Sequence, residues 1–129
     1  MKMRGKPRIL VVEDNPDIQR IYSRMLAGRY DVKQVYNTKD AWKALAESEY
    51  DLMILDIILP KGAQGDRFYL QVSQHPEYSE IPALFVTVID DQLEADTFEN
   101  INKAEWLTKP FTEEALIGKV EKILSGRQP

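Results

Sequence analysis

Leu52-Met53-Ile54-Leu55-Asp56 is the stretch that decides how this chain folds. Four apolar residues in succession, with no polar alternation, read as a strand buried on both faces. Asp56 ends the run, so a carboxylate emerges where the strand gives way to a loop. The pattern recurs along the chain. Ile9-Leu10-Val11-Val12 runs into Glu13 and Asp14, and Ala83-Leu84-Phe85-Val86 runs into Thr87. A short apolar stretch ending at Leu107 leads to Lys109 and Pro110. In open α/β sheets, ligands bind at the carboxyl ends of the strands. Three acids, a hydroxyl and an ammonium gathered at that edge are not explained by core packing, because an unpaired buried acid is costly.

Between these strands the apolar period changes from continuous to helical. Ile18, Ile21, Tyr22, Met25 and Leu26 recur at i, i+3, i+4, i+7 and i+8, which predicts a helix over 17–28. Pro16 suits its first turn and Gly28 its end. Asn15 or Asp14 can cap it. A short strand is expected over 31–35. A helix from Thr38, acting as cap, would run through Trp42, Leu45 and Ala46 to about Ser48. The third strand is expected over 51–55, and a helix over 65–74 is closed by His75-Pro76. The fourth strand is expected over 82–86. A weakly amphipathic, acidic helix is expected over 91–101, ended by Asn102 in the left-handed conformation. The fifth strand is expected over 104–107. Thr112 would cap a last helix that buries Leu116, Val120, Ile123 and Leu124, with Glu113 and Glu114 in its positive first turn. This is a (βα)5 pattern. It predicts one doubly wound α/β domain with a parallel sheet in the flavodoxin-like order 2-1-3-4-5. The domain is expected to occupy residues 7–126, with flexible tails at 1–6 and 127–129.

Composition sets the outer limits. The chain has 129 residues, 43% of them hydrophobic and 29% charged, which suits a single soluble domain. It has no cysteine, so disulfide, thiol and thiolate-metal chemistry are excluded. No apolar run approaches a membrane span, and the basic N-terminus has no apolar core of a secretory signal. A cytoplasmic location is the expectation. The net charge is −4. The segment 90–105 holds Asp90, Asp91, Glu94, Asp96, Glu99 and Glu105 against one base, Lys103, so the rest of the chain is nearly neutral. With no basic stripe to neutralise phosphates, direct nucleic-acid binding is not expected.

In the order 2-1-3-4-5, strands 1 and 3 are neighbours, so Glu13, Asp14 and Asp56 would lie together. Clustered carboxylates repel unless a cation intervenes. Oxygen donors without His or Cys suit a hard ion such as Mg²⁺. Lys109 adds a positive charge and Thr87 a hydroxyl. A metal, an ammonium and a hydroxyl around one carboxylate make a site for a phosphoryl group, with Asp56 as the nucleophile that forms an acyl phosphate.

These motifs, in this order, resemble the receiver domain of two-component response regulators. The resemblance covers residues 7–126. It rests on Glu13-Asp14, on Leu55-Asp56-Ile57-Ile58-Leu59-Pro60, on Thr87 and on Trp106-Leu107-Thr108-Lys109-Pro110-Phe111. It implies that a sensor histidine kinase or phosphotransfer protein donates a phosphoryl group to Asp56. It also implies that Asp14, Asp56 and the main-chain carbonyl of Ile58 ligate Mg²⁺, with Glu13 acting through water. Lys109 would contact the phosphoryl oxygens, Thr87 would swing toward them, and Trp106 would turn inward as the switch. The Lys109-Pro110 bond is cis in that family, and proline is where a cis bond is least costly. Signalling would act through the face made by the 91–101 helix, the fifth strand and the last helix, which a partner or output domain would read. The basic partner surface expected there follows from the acidity of 90–105.

The chain also departs from the family pattern. The loop between Pro60 and Gly65 is one residue longer than the commonest spacing, Trp stands at 106, and Val88 follows Thr87. Ile58 and Ile89 are apolar where relatives carry polar side chains that hold a hydrolytic water. A long-lived phosphorylated form is therefore expected. An aspartate-nucleophile phosphatase would need a second Asp at position 58. A flavin carrier would need a Ser/Thr/Gly-rich loop in place of Glu13-Asp14-Asn15-Pro16. A degenerate receiver, acting as a docking module without phosphorylation, would have lost Asp56, Thr87 or Lys109. His75 and Trp42 read as structural.

Overall fold

The computed structural model describes residues 5–56, 64–87 and 104–126, with the backbone alone for 56, 64–67, 87 and 104. Its strands are β1 (Arg8–Val12), β2 (Asp31–Val35), β3 (Leu52–Asp56), β4 (Ala83–Thr87) and β5 (Ala104–Thr108). The helices among the described residues are α1 (Pro16–Leu26), α2 (Thr38–Glu47), α3 (Gln64–Ser73) and α4 (Glu113–Gly126). All strand pairs are parallel and the order is β2-β1-β3-β4-β5. None of the described helices is long and apolar enough to cross a membrane. The expected helix over 91–101 and its cap Asn102 lie outside the described residues. So do Ile58, Val88, Ile89, the loop residues 60–63 and most of both tails.

Side chains alternate across each strand and so build two cores. Leu10, Val12, Met53, Leu55, Ala83 and Phe85 face one side, against Ala41, Ala44 and Leu45 of α2 and Phe68, Tyr69 and Val72 of α3. Ile9, Val11, Leu52, Ile54, Leu84 and Val86 face the other, against Tyr22 and Leu26 of α1 and Leu116, Val120 and Ile123 of α4. A strand buried on both faces has no position for a polar residue until it ends. The polar groups are thereby pushed to the strand termini.

Local chemistry fixes the helix ends. Asn15 takes the N-cap of α1: its side chain accepts hydrogen bonds from the Asp17 and Ile18 N–H groups. Pro16 occupies the first turn, where its missing N–H costs nothing. Gly28 adopts φ 84°, a conformation glycine reaches without strain, and turns the chain from α1 into β2. Thr112 caps α4 as expected, its hydroxyl accepting from the Ala115 N–H at 3.0 Å.

Three expectations are corrected here. Asn37, not Thr38, caps α2: its extended backbone places the side-chain oxygen 2.8 Å from the Asp40 N–H, and Thr38 is already helical. The buried face of α1 is Gln19, Tyr22 and Leu26, whereas Ile21 is 41% exposed. The stripe is centred on Tyr22 and Leu26, so residue 19 lies on its axis and residue 21 on its flank. β3 and β4 also run one residue further than expected, so Asp56 and Thr87 are still within the ladder, opposite Val86 and Thr108.

Tyr69 of α3 lies edge-on to Phe85, with ring centroids 5.3 Å apart. Burial pushes its phenol up to about 12. An unfolded tyrosine ionises near pH 10. Neutral Tyr69 therefore contributes its full stability below about pH 10, and that contribution is lost as pH rises toward about 12. Burial also raises Tyr30 and Tyr50. Urea midpoints measured across this window should fall less steeply for Tyr69→Phe than for wild type, without becoming flat. An unchanged slope would contradict the assignment.

Candidate functional site

The carboxyl edge of the sheet is set by the strand register. Val12 of β1 pairs with Leu55 of β3, and Leu55 with Phe85 of β4. Phe85 in turn pairs with Trp106 of β5. One residue further on, Glu13 leaves β1 next to Asp56, and Asp56 pairs with Val86. Thr87 pairs with Thr108, the residue before Lys109. The backbone therefore brings Glu13, Asp14, Asp56, Thr87 and Lys109 to one edge. The side chains of Asp56 and Thr87, and all of Ile58, lie outside what the structure describes.

Glu13 is the described centre of this edge. It is 2% exposed, although it is a carboxylate beside a loop. Its N–H continues the β1–β2 ladder by donating to the Val35 carbonyl at 3.1 Å. Its Oε2 accepts from the Asn15 N–H at 2.9 Å. Its Oε1 lies 3.8 Å from Lys109 Nζ, and the lysine side chain is itself largely buried. Lys109 reaches this point from the end of β5, through a segment whose Lys109-Pro110 peptide is cis. Phe111 follows and stacks on Tyr22 of α1, with centroids 5.9 Å apart. The segment after β5 is thus held to α1 by aromatic contact and to the loop after β1 by the ion pair. Asp14, next to Glu13, is exposed. Among the described residues no group of three potential ligands converges. The described donors at this edge, Glu13 and Asp14, are both carboxylates. That is the chemistry a hard divalent ion takes.

Trp106 is half-buried and packs at 5.3 Å on Phe85. Glu105, beside it, pairs with Lys119 and Lys122 of α4 at 3.6 and 3.5 Å. Among the described residues, the exposed side of β5 and α4 therefore carries both acids and bases, while Asp90, Asp91, Glu94, Asp96 and Glu99 lie outside the described residues. His75 and Trp42 lie at the opposite end, where His75 stacks on Tyr78 at 4.3 Å and accepts from the Glu77 N–H. Trp42 meets Phe68 edge-on.

The residue that sequence reasoning missed is Gln19. It is 2% exposed, and its amide donates to the carbonyls of Val35 at 2.7 Å and Glu13 at 3.1 Å. The signal was present: a glutamine three residues before Tyr22 and seven before Leu26 lies on the buried stripe of a helix.

The fold and this edge define a class, and comparison with known proteins identifies it. A family model described as the response regulator receiver domain matches residues 9–121, so the chain belongs to that family. It is a receiver domain of two-component systems, homologous to response regulators and to the receiver domains of histidine kinases. Protein PilH of Pseudomonas aeruginosa is 27% identical over 120 residues, covering 92% of this chain and 98% of that protein. Hybrid signal transduction histidine kinase D of Dictyostelium discoideum is 27% identical over 94% of this chain, which spans 8% of that protein. The 3',5'-cyclic-nucleotide phosphodiesterase regA of the same organism is 30% identical, and the chain spans 16% of its length. Among solved structures, the signal receiver domain of a signal transduction histidine kinase from Syntrophus aciditrophicus superposes with a TM-score of 0.82. It is 26% identical, covering 95% of this chain and 92% of the other. Chemotaxis protein CheY4 of Vibrio cholerae has the same fold, with a TM-score of 0.83 at 24% identity over 92% of this chain and 99% of its own.

The Glu13–Lys109 pair generates a stability test. Lys109→Met leaves a carboxylate with little water around it and should cost about 2 kcal/mol or more in urea unfolding. Glu13→Gln in the same molecule should recover part of that loss, because the stranded charge is gone. Strictly additive losses would show that the two side chains do not stabilise each other.

Proposed function

We propose that this domain is a phosphorylation switch in which Asp56 accepts a phosphoryl group from the phosphohistidine of a sensor histidine kinase or phosphotransfer protein. A carboxylate oxygen of Asp56 attacks phosphorus, the P–N bond breaks, and the imidazole leaves with a proton from water. The product is an acyl phosphate at the end of β3. The observation that carries this reading is the buried Glu13 with Lys109 held 3.8 Å away, on the edge to which the register brings Asp56. An anionic phosphoryl group arriving beside three acids needs compensating cations.

Lys109 is one such cation, and it is already held at the edge by Glu13 and by the packing of Phe111 on Tyr22. Asp14, Asp56 and the main-chain carbonyl of Ile58 would hold Mg²⁺, with Glu13 supporting it through water. Bound there, Mg²⁺ would neutralise charge on the phosphoryl oxygens. Thr87, at the end of β4, would supply a hydroxyl donor to the phosphoryl group. Trp106 would transmit the change to the surface made by the 91–101 segment, β5 and α4, where a protein partner or output domain reads it. The domain's chemistry acts on itself alone and turns over no substrate. Residues 7–126 would form the working unit.

Intact mass spectrometry after incubation with acetyl phosphate tests the acceptor. The mass should rise by one phosphoryl group in Mg²⁺, show no gain in EDTA, and stay unchanged for Asp56→Asn. An equal gain in that variant would reject Asp56. No gain in wild type would favour a docking module that works without phosphorylation.

Mg²⁺ should also stabilise the unphosphorylated domain by relieving repulsion among Glu13, Asp14 and Asp56. Mass action predicts roughly 2.7 kcal/mol at 100 times the dissociation constant. Asp14→Ala should remove the metal-dependent rise in melting temperature. Persistence of the rise would show that Asp14 is not a ligand.

A further inference from the structure

We propose that Gln19 is the positioning residue for the Glu13–Asp14 pair and sets the Mg²⁺ affinity of the site without touching the ion. The inference rests on the metal-binding reading above and adds to it a residue outside the acidic cluster.

Three chain segments end at this point: β1 at Val12, β2 at Val35, and the loop that enters α1. The Val35 carbonyl, at the end of β2, and the Glu13 carbonyl, just past β1, both lie here, and buried carbonyls require donors. Gln19, in the first turns of α1, supplies them. An amide nitrogen has two hydrogens, and the two short contacts, to Val35 and Glu13, account for both. The Val11 carbonyl, at 3.5 Å, is a marginal third. The Val35 carbonyl also accepts from the Glu13 N–H, so Gln19 and Glu13 meet on one oxygen.

The Glu13 carbonyl belongs to the peptide that joins Glu13 to Asp14. Peptides are planar. A donor on that carbonyl therefore fixes the tilt of the plane, and with it the direction in which Asp14 leaves the backbone. At the other end of the same residue, the Asn15 N–H holds Glu13 Oε2. Glu13 is thus fixed through its N–H, its carbonyl and its carboxylate, and Asp14 inherits the carbonyl restraint. The Asp14 side chain is exposed, so the backbone does the aiming. Nothing about packing α1 requires an amide at position 19. Tyr22 and Leu26, on the same stripe, meet apolar neighbours. Gln19 reaches strand-end carbonyls instead.

Residues that orient first ligands typically change metal affinity by 10–100-fold when replaced. Gln19→Met keeps the length and volume and removes both donors. Its Mg²⁺ dissociation constant, measured by calorimetric titration with Mg²⁺ alone, should rise about tenfold. The Mg²⁺ concentration for half-maximal phosphorylation by acetyl phosphate should rise in parallel, while the rate at saturating Mg²⁺ stays close to wild type. Ile81→Ala, before β4 at the opposite edge, is the control for lost stability, and its Mg²⁺ affinity should match wild type. If Gln19→Met does not fold, Gln19→Asn is read in the same way, because its amide is one methylene short of the carbonyls. Unchanged Mg²⁺ affinity in a Gln19 variant that has lost stability would overturn the proposal. So would an equal loss of affinity in Ile81→Ala. If wild type itself binds no Mg²⁺, the metal reading fails and this inference falls with it. A wild type that binds Mg²⁺ beside an unaffected Gln19 variant would reject Gln19 alone.

Discussion

A carboxylate withdrawn from water must be compensated, and the buried Glu13 imposes that requirement on the carboxyl edge of this sheet. Removing a charge from water costs several kcal/mol unless hydrogen bonds and counter-charge replace the solvent. The replacements for the carboxylate come from two directions, the Asn15 N–H from the start of α1 and Lys109 from the end of β5, while Gln19 holds the adjoining main-chain carbonyl. Each of these groups also has a structural task. Asn15 caps α1, the Lys109 segment carries Phe111 onto Tyr22, and Gln19 ties β1 to β2. The acidic edge and the packing around it therefore cannot be altered independently.

The two-core architecture explains why polar chemistry collects there. Alternation on β1, β3 and β4 commits successive residues to opposite cores, and both cores are sealed by helices. A charge can enter only where a strand stops. Parallel strands all stop on one side, so the acids after β1, the acid that ends β3 and the lysine after β5 meet despite their distance in sequence. The register does this without help from loop conformation: Val12, Leu55, Phe85 and Trp106 form one row, and the polar groups lie just beyond it.

Much of this was legible in the sequence. Four apolar runs ending in polar residues gave four of the five strands, and their separation by helical periods gave the parallel order. The family followed from Glu13-Asp14, Asp56, Thr87 and Lys109. Finer features were hidden for physical reasons. Asn37 and Thr38 are both good caps, and backbone torsion rather than residue type selects Asn37. Ile21 fits a helical apolar period but is 41% exposed, whereas Gln19 is buried, because the buried stripe of α1 is centred on Tyr22 and Leu26. A glutamine that satisfies carbonyls gives no hydrophobic signal. The Glu13–Lys109 contact joins residues at opposite ends of the domain, and no local pattern encodes it. Of the acids counted over 90–105, Glu105 is paired with Lys119 and Lys122 of the last helix, a contact between elements that no local pattern encodes.

The central claim is that this edge exists to form an acyl phosphate at the end of β3. Chemical trapping tests it most directly. Borohydride reduces an aspartyl phosphate to homoserine with loss of phosphate, leaving a permanent mark at the acceptor. Protein treated with acetyl phosphate and Mg²⁺, reduced, digested and sequenced by mass spectrometry should carry homoserine at position 56 and at no other aspartate. Homoserine at Asp14 or another acid, with position 56 unmodified, would contradict the account.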